Sequence, residues 1–452
     1  DGAESGRVRE LAAAGGARWI RVQSLDDPAA RERLAAKDFA VSAGKIYHHR
    51  RQLTDGELLF LVNSSLDTPA KATVRAAGRS LARLDAVTGT ESPYPARIES
   101  GRLAFSVELP PAGSLLLVAS PEGALVPEQA QPSAARPVEP VAPLKIKRAA
   151  PNVLMIDYCD LKVAGAVAED LPVYKAATTA FQKHGFPEGN PWNTAVQYKS
   201  SILDRNHFPP DSGFEAVYRF EVAPGVVTKA LEAVVERPAL WKVAVNGQTV
   251  EPKPGAWWLD AAFGVYDIGA HVKPGANAIS VSAHPMSVHA EIEPVYVLGE
   301  FGVAPVEKGF RIVPASPLAV GEWKEQALPF YSDAVSYARS YKLRTGASYS
   351  VRLGKWSGTV AEVKVNGATA GIIGWAPYEV DISRLVRKGR NEVEVVVYGS
   401  LKNLLGAHHG KRTPGFVTPW SWRNAPVHTP PGAQYDFYGY GLTDNFEVVT
   451  LP

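Results

Sequence analysis

One pattern occurs twice in this chain, and a unit that recurs with a change in loop length marks a duplicated domain. The first copy runs from Asn246-Gly247 through Asp267-Ile268 to Val272-Lys273-Pro274-Gly275-Ala276-Asn277. The second runs from Asn366-Gly367 through Asp381-Ile382 to Val386-Arg387-Lys388-Gly389-Arg390-Asn391. From the Asp to the final Asn the spacing is the same, while the stretch between Asn-Gly and Asp differs by a few residues. Each Asn-Gly follows a strand-like run, Trp241-Lys242-Val243-Ala244-Val245 or Val363-Lys364-Val365, so it reads as a tight hairpin whose turn needs positive φ. Each final Asn opens another alternating run, which points to a β-sandwich.

The 452 residues leave room for three domains of ordinary size. A net charge of +2 gives no electrostatic case for a nucleic-acid partner. No apolar run is long enough for a membrane span. A single cysteine, Cys159, excludes an internal disulfide and a thiolate metal cluster. The chain begins Asp1-Gly2-Ala3-Glu4, without Met and without the apolar region of a signal peptide, and reads as a piece of a longer protein.

Residues 1–45 carry helix-like pieces at 5–15 and 28–37 around the strand candidate Trp19-Ile20-Arg21-Val22, an α/β tail of a preceding domain. Residues 46–120 read as a small all-β sandwich, with a buried strand at Leu58-Leu59-Phe60-Leu61-Val62-Asn63. Residues 121–148 have the Pro- and Ala-rich composition of a linker. Residues 149–312 and 313–452 are the two copies, each a jelly-roll β-sandwich. The first has a lead-in strand and a helix near residues 174–184. The expected fold is mostly β, as tandem sandwiches with minor helix.

Several stretches carry a family resemblance. The first copy contains Asn190-Pro191-Trp192, then Gly213-Phe214-Glu215-Ala216-Val217-Tyr218. The second contains Trp375-Ala376-Pro377-Tyr378, Asn403-Leu404-Leu405-Gly406-Ala407-His408-His409 and Pro419-Trp420. With the duplicated unit, these residues other than the Trp375 stretch resemble the C-terminal half of large bacterial glycoside hydrolases, of the α-L-rhamnosidase (family 106) type. Trp375-Ala376-Pro377-Tyr378 and the Glu379-Val380-Asp381-Ile382 that follows are similar to the sugar-binding jelly roll of β-galactosidase and β-glucuronidase relatives. Tyr47-His48-His49-Arg50-Arg51 looks like the β-domain that follows the catalytic barrel in such enzymes. The resemblance implies duplicated sugar-binding jelly rolls, an extracellular or periplasmic location, and a role in polysaccharide degradation. It also implies a barrel that lies outside this chain, since eight strand–helix units are absent here. No catalytic residue is carried over. The implied partners are a carbohydrate and the catalytic domain of the same parent protein. The alternative is a free-standing, lectin-like carbohydrate-binding protein without catalysis.

Paired carboxylates perform glycoside hydrolysis. Glu291 and Glu293 are the best local pair, although alternating charges on a half-exposed strand usually form a solvated face, which is the main reading here. Asp157 and Asp160 read as turn or surface residues. Sugars offer apolar C–H faces to indoles and hydroxyls to polar side chains. Trp258, Trp375, Trp420, Trp422 and Arg423 are therefore candidate sugar contacts, and core packing is their structural alternative. An extended Pro419-Trp420-Ser421-Trp422 would set both indoles on one side. His408 and His409, in a glycine-rich loop, are candidate contacts of the same kind. Asp267 and Asp381 read as loop caps. The chain has no cofactor motif, and a structural calcium ion at a sandwich loop is left open.

Overall fold

The hairpin signal is realised in both copies. In the computed structural model, which describes residues 5–14, 24, 38–42, 45–86, 88–127, 135–410 and 418–451, Asn246 and Asn366 have φ of 48° and 52°. Gly247 and Gly367 follow at 83° and 84°, so each pair forms a turn with two positive φ values, as the twist of a two-residue hairpin requires. The final Asn of each copy is buried and holds its own loop closed. Asn277 Oδ1 accepts from Lys273 N–H at 3.0 Å, and its amide donates to the carbonyls of Lys273 and Gly275. Asn391 repeats this with Arg387 N–H at 2.8 Å and the carbonyls of Arg387 and Gly389. Asp267 and Asp381 cap the preceding turn, accepting from Gly269 and Ser383 N–H.

The described residues fall into two units, 1–134 with Trp375–Pro377, and the remainder from Ala135 onward. In the first unit, helix Gly6–Ala14 matches the first helix-like piece. The strand candidate 19–22 and the helix-like 28–37 lie outside the described residues. The rest is a sandwich of a four-stranded and a five-stranded antiparallel sheet. Its core includes Leu59, Leu61, Val74, Phe105 and Leu117. Strand Glu57–Asn63 buries one face only: Phe60 is 39% exposed while its neighbours Leu59 and Leu61 are fully covered. The run of apolar residues there is longer than its buried side.

In the second unit the two copies share one topology. The first places Phe214–Val222, Gly275–Ala283, Lys242–Val245 and Gln248–Val250 side by side, opposite a sheet ordered Val295–Gly299, Glu232–Glu236, Asp260–Asp267. The second places Ala334–Leu343, Gly389–Tyr398, Val360–Val365 and Ala368–Ile373 side by side, opposite Glu447–Thr450, Tyr349–Arg352, Glu379–Asp381. Register agrees as well, with Val222 opposite Gly275 and Leu343 opposite Gly389. Each sandwich has its own core, the second built on fully buried Val351, Val363, Val393, Val395 and Val397. Each such side chain contributes about 1.5–3 kcal/mol relative to an exposed one.

The segment read as linker is partly structural. Lys145–Arg148 forms the edge strand beside Ala334–Leu343, and Arg136–Pro137 pairs with Glu447–Thr450. The second sandwich therefore begins before the first one, which is inserted into it. The alternating Lys and Arg of this strand suit a sheet edge, where charge discourages further pairing.

Candidate functional site: a carboxylate cleft shared by the two sandwiches

Strand Glu232–Glu236 ends at Arg237, whose φ of 53° turns the chain sharply before Pro238. Across from it, residues 284–294 run irregularly before strand Val295–Gly299 begins. Glu291 and Glu293 therefore sit on a loop rather than on the alternating strand their spacing implied. Pro294 holds the residue before it extended and ends the loop. Glu236, Glu291 and Glu293 come together with Arg237, Trp241 and His289 around one cleft.

Most of these side chains are held in place. Asn190 donates its amide to Glu291 at 2.8 Å and accepts from Trp192 N–H at 3.0 Å. Trp192 stacks on His289 with ring centres 5.7 Å apart and donates its indole N–H to Val288 O. Arg237 reaches both Glu236 and Glu291 at 3.5 Å. Trp241 anchors its indole N–H on Glu236 O at 2.7 Å, and Tyr218 donates to Glu293 O at 2.7 Å.

Glu293 differs from its neighbours. Its backbone is fixed, but among the described residues its carboxyl has no hydrogen-bond partner. It is exposed, because it faces open cleft space, while protein crowds it on the other sides. Burial, then the like charges of Glu291 and Glu236, push its pKa up to about 8, against the opposing pull of Arg237. Water in the cleft screens part of that push. Glu236 is raised too, first by burial. A carboxyl that keeps its proton near neutral pH can donate a hydrogen bond to a ligand oxygen.

Glu293 also lines a second opening of ≈ 1120 Å³ including its open mouth, whose walls come from both sandwiches. Tyr174 and Asn190 belong to the first; Lys402, Leu405, Gly406 and Trp422 to the second. Lys402 is oriented by the Asp436 carboxylate at 3.4 Å.

The candidate aromatics divide. Trp422 reaches this cleft, half-buried against the first sandwich's core. Trp420 is 46% exposed and points elsewhere. The expectation of two indoles on one side fails because Pro419–Asn424 is a 3-10 helix. Thr418 N–H donates to Ser421 Oγ at 3.0 Å and Pro419 sits in the first turn, which together start the helix. Positions i and i+2 of such a helix diverge. Arg423 lies 3.8 Å over Trp420 and donates to Tyr174 OH at 2.7 Å. Trp375 is 65% exposed in the loop after Ala368–Ile373. Trp258 instead packs beside Tyr296 and Phe263, as a partly buried core residue.

His408 and His409 are not surface contacts. His408 is fully buried among Phe330, Tyr435 and Phe437, and among the described residues its Nε2 has no hydrogen-bond partner. Burial, with Lys402 next, lowers its pKa to about 3. His409, 5% exposed, sets Nε2 3.4 Å from Asp157, which also accepts from Tyr435 OH at 2.9 Å. Asp157 and Asp160, read as turn or surface residues, are thus buried. Asp160 pairs with Arg219 and accepts from Asp170 N–H. Asp157 is covered by the last loop of the second sandwich, a contact distant in sequence, whereas the partners of Asp160 lie in the first sandwich itself.

Glu236, Arg237 and Lys402 were not singled out from the sequence, and Asn190 and Trp241 stood out only within motifs and not as site residues. The one local signal was Glu236-Arg237-Pro238, a charged pair at a strand end closed by proline. Among the described residues no group of three or more His, Cys, Asp or Glu gathers to hold a metal ion, and no helix is long and apolar enough to cross a membrane.

No family model and no curated protein matches the chain. Solved structures do. A rhamnosidase from Novosphingobium sp. PP1Y is 15% identical, with 94% of this chain and 26% of that one covered, at a TM-score of 0.44. An α-L-rhamnosidase from Streptomyces avermitilis, complexed with L-rhamnose, is 12% identical over 79% of this chain and 36% of that one, at 0.24. A β-glucuronidase from Lactobacillus rhamnosus is 11% identical over 59% and 44%, at 0.20. The chain spans between about a quarter and less than half the length of these three enzymes.

Proposed function

We propose that this chain is the carbohydrate-handling, non-catalytic C-terminal portion of a glycoside hydrolase of α-L-rhamnosidase type, whose catalytic barrel lies outside these residues. One observation carries the reading. Two separate stretches behind the sequence resemblance both reach the opening that Glu293 lines, the first through Asn190 and the second through Leu405 and Gly406. The surroundings suit a sugar. Trp241 and Trp422 offer apolar faces, and Arg237, Asn190 and Glu293 offer hydrogen bonds of both senses. In this reading the parent protein is exported and acts on polysaccharide.

Affinity electrophoresis of the chain through gels cast with neutral polysaccharides tests the proposal, alongside an assay on aryl rhamnosides and glucuronides. Retarded migration that Glu293→Gln and Trp422→Ala abolish, without aryl glycoside hydrolysis, supports it. Unretarded migration on every glycan contradicts sugar handling, and hydrolysis contradicts an external barrel. Binding by a chain whose parent gene encodes no barrel selects the lectin-like alternative.

A further inference from the structure

The first sandwich has another concavity, on residues 183–186 and 205–213, of ≈ 1180 Å³ including its open mouth. Lys183, Arg205 and His207 give it positive character, with Asp211 as the opposing carboxylate and Phe186 and Phe208 as apolar surface. Its frame is rigid. His184 spends both ring nitrogens, Nδ1 on Ala180 O at 2.7 Å and Nε2 accepting from Gly213 N–H at 3.0 Å. A Cβ on Gly213 would lie 2.0 Å from Ala283 O, so the chain passes where no side chain fits.

Arg205 is set in one orientation. Its guanidinium carbon lies 4.1 Å over the Phe186 ring, and Nη2 donates to Gly185 O. Among the described residues, Nε and Nη1 have no acceptor, Lys183 has no ion pair, and Asp211 is joined to neither cation. The nearby Asp204 is taken by Lys199 at 3.0 Å. The concavity thus presents a fixed guanidinium edge and an ammonium group without an ion-pair partner among the described residues.

We propose that this concavity is a second saccharide subsite that takes a uronate residue, with its carboxylate on Arg205 and Lys183 and its ring against Phe208. A planar carboxylate matches a guanidinium edge through two parallel hydrogen bonds. Asp211 and His207 are placed to bond ring hydroxyls. The inference rests on the reading that the chain handles sugars, but it uses residues apart from the Glu293 cleft.

The test is calorimetric titration of the whole chain with an oligogalacturonate, its methyl ester, and a sulfated oligosaccharide of equal length. The acid is expected to bind, and esterification or Arg205→Gln to weaken it by roughly tenfold or more. Lys183→Gln weakens it several-fold, and added salt weakens it. Both substituted cations are exposed, so a melting curve confirms that the variants fold. Equal affinity for acid and ester, insensitivity to Arg205→Gln, tighter binding of the sulfated chain, or no uronate binding overturns the inference. If uronate binding is absent while neutral glycans still bind at the Glu293 cleft, this subsite falls and the reading of the cleft stands.

Discussion

The amide of Asn366 donates to Oδ1 of Asn391 at 2.9 Å, and Asn246 does the same to Asn277 at 2.9 Å. In each copy the Asn of the hairpin turn thereby ties to the Asn of the following loop. The turn Asn also accepts from the next backbone N–H, that of Glu392 or Ala278. The duplicated motif is a structural lock, and sugar chemistry has to be sought elsewhere.

Asn391→Ala removes the partner of Arg387 N–H, of two carbonyls and of Asn366 at a fully buried site. Unsatisfied buried groups cost about 1–3 kcal/mol each before relaxation, so a loss of roughly 2–4 kcal/mol is expected. Urea denaturation should show a lower midpoint for the second sandwich with an unchanged slope. Asn277→Ala should do the same to the first. A loss below about 0.5 kcal/mol, the ordinary effect of a surface change, would contradict the lock.

The turn of the lock was legible because it is local, whereas the final Asn was read as opening the next strand and not as the residue that closes its loop. Asn-Gly needs positive φ, and Gly-x-Asn closes a loop within five residues. Pairing of Lys145–Arg148 with residues 335–338 was not legible, since register between distant segments leaves only a faint alternation in either one. The cleft was half legible. Glu291 and Glu293 stood out as a pair, but Glu236 and Arg237 join them only through the sheet. Burial of His408 and His409 came from a glycine-rich loop that packs against the other sandwich. The 3-10 helix at Pro419–Asn424 had its signal in Thr418 and Pro419, which the reading as an extended segment passed over.

His408 should govern acid stability. Its folded pKa, about 3, lies below the ordinary histidine value, so the unfolded chain takes up a proton first as pH falls. The stability is fully present above about pH 6.5 and declines from there towards pH 3, by at most about 1.4 kcal/mol per pH unit. His408→Phe, among three aromatic rings, should flatten the decline in melting temperature between pH 7 and pH 4. An identical pH profile for both proteins would show that this histidine is not the cause.

Glu293 works in the opposite sense. Its folded pKa is raised to about 8, so whatever stability its protonation lends is present below the unfolded carboxyl pKa and lost as pH rises through 8. Glu293→Gln should leave melting unchanged at pH 5 and raise it slightly at pH 9. Differential scanning at the two pH values reads this directly. A variant less stable at pH 9 would mean that the ionised carboxylate has a stabilising partner.

Asp157 joins the sandwiches through Tyr435 and His409. Asp157→Ala should cost about 1–3 kcal/mol, because the Tyr435 hydroxyl loses its buried acceptor. Hydrogen exchange should rise in residues 403–410 and 430–440 and remain unchanged in the core strand Gly389–Tyr398. Protection unchanged in both segments would mean that the two sandwiches are held together by other contacts.

The most direct measurement is calorimetric titration of the chain with L-rhamnose and rhamnose-containing oligosaccharides, for the natural sequence and for Glu293→Gln with Trp422→Ala. The account predicts saturable binding that the double substitution reduces by more than about tenfold, with the saccharide recovered intact. Binding that is unaffected by the substitutions, no binding of any saccharide, or recovery of cleaved sugar would contradict it.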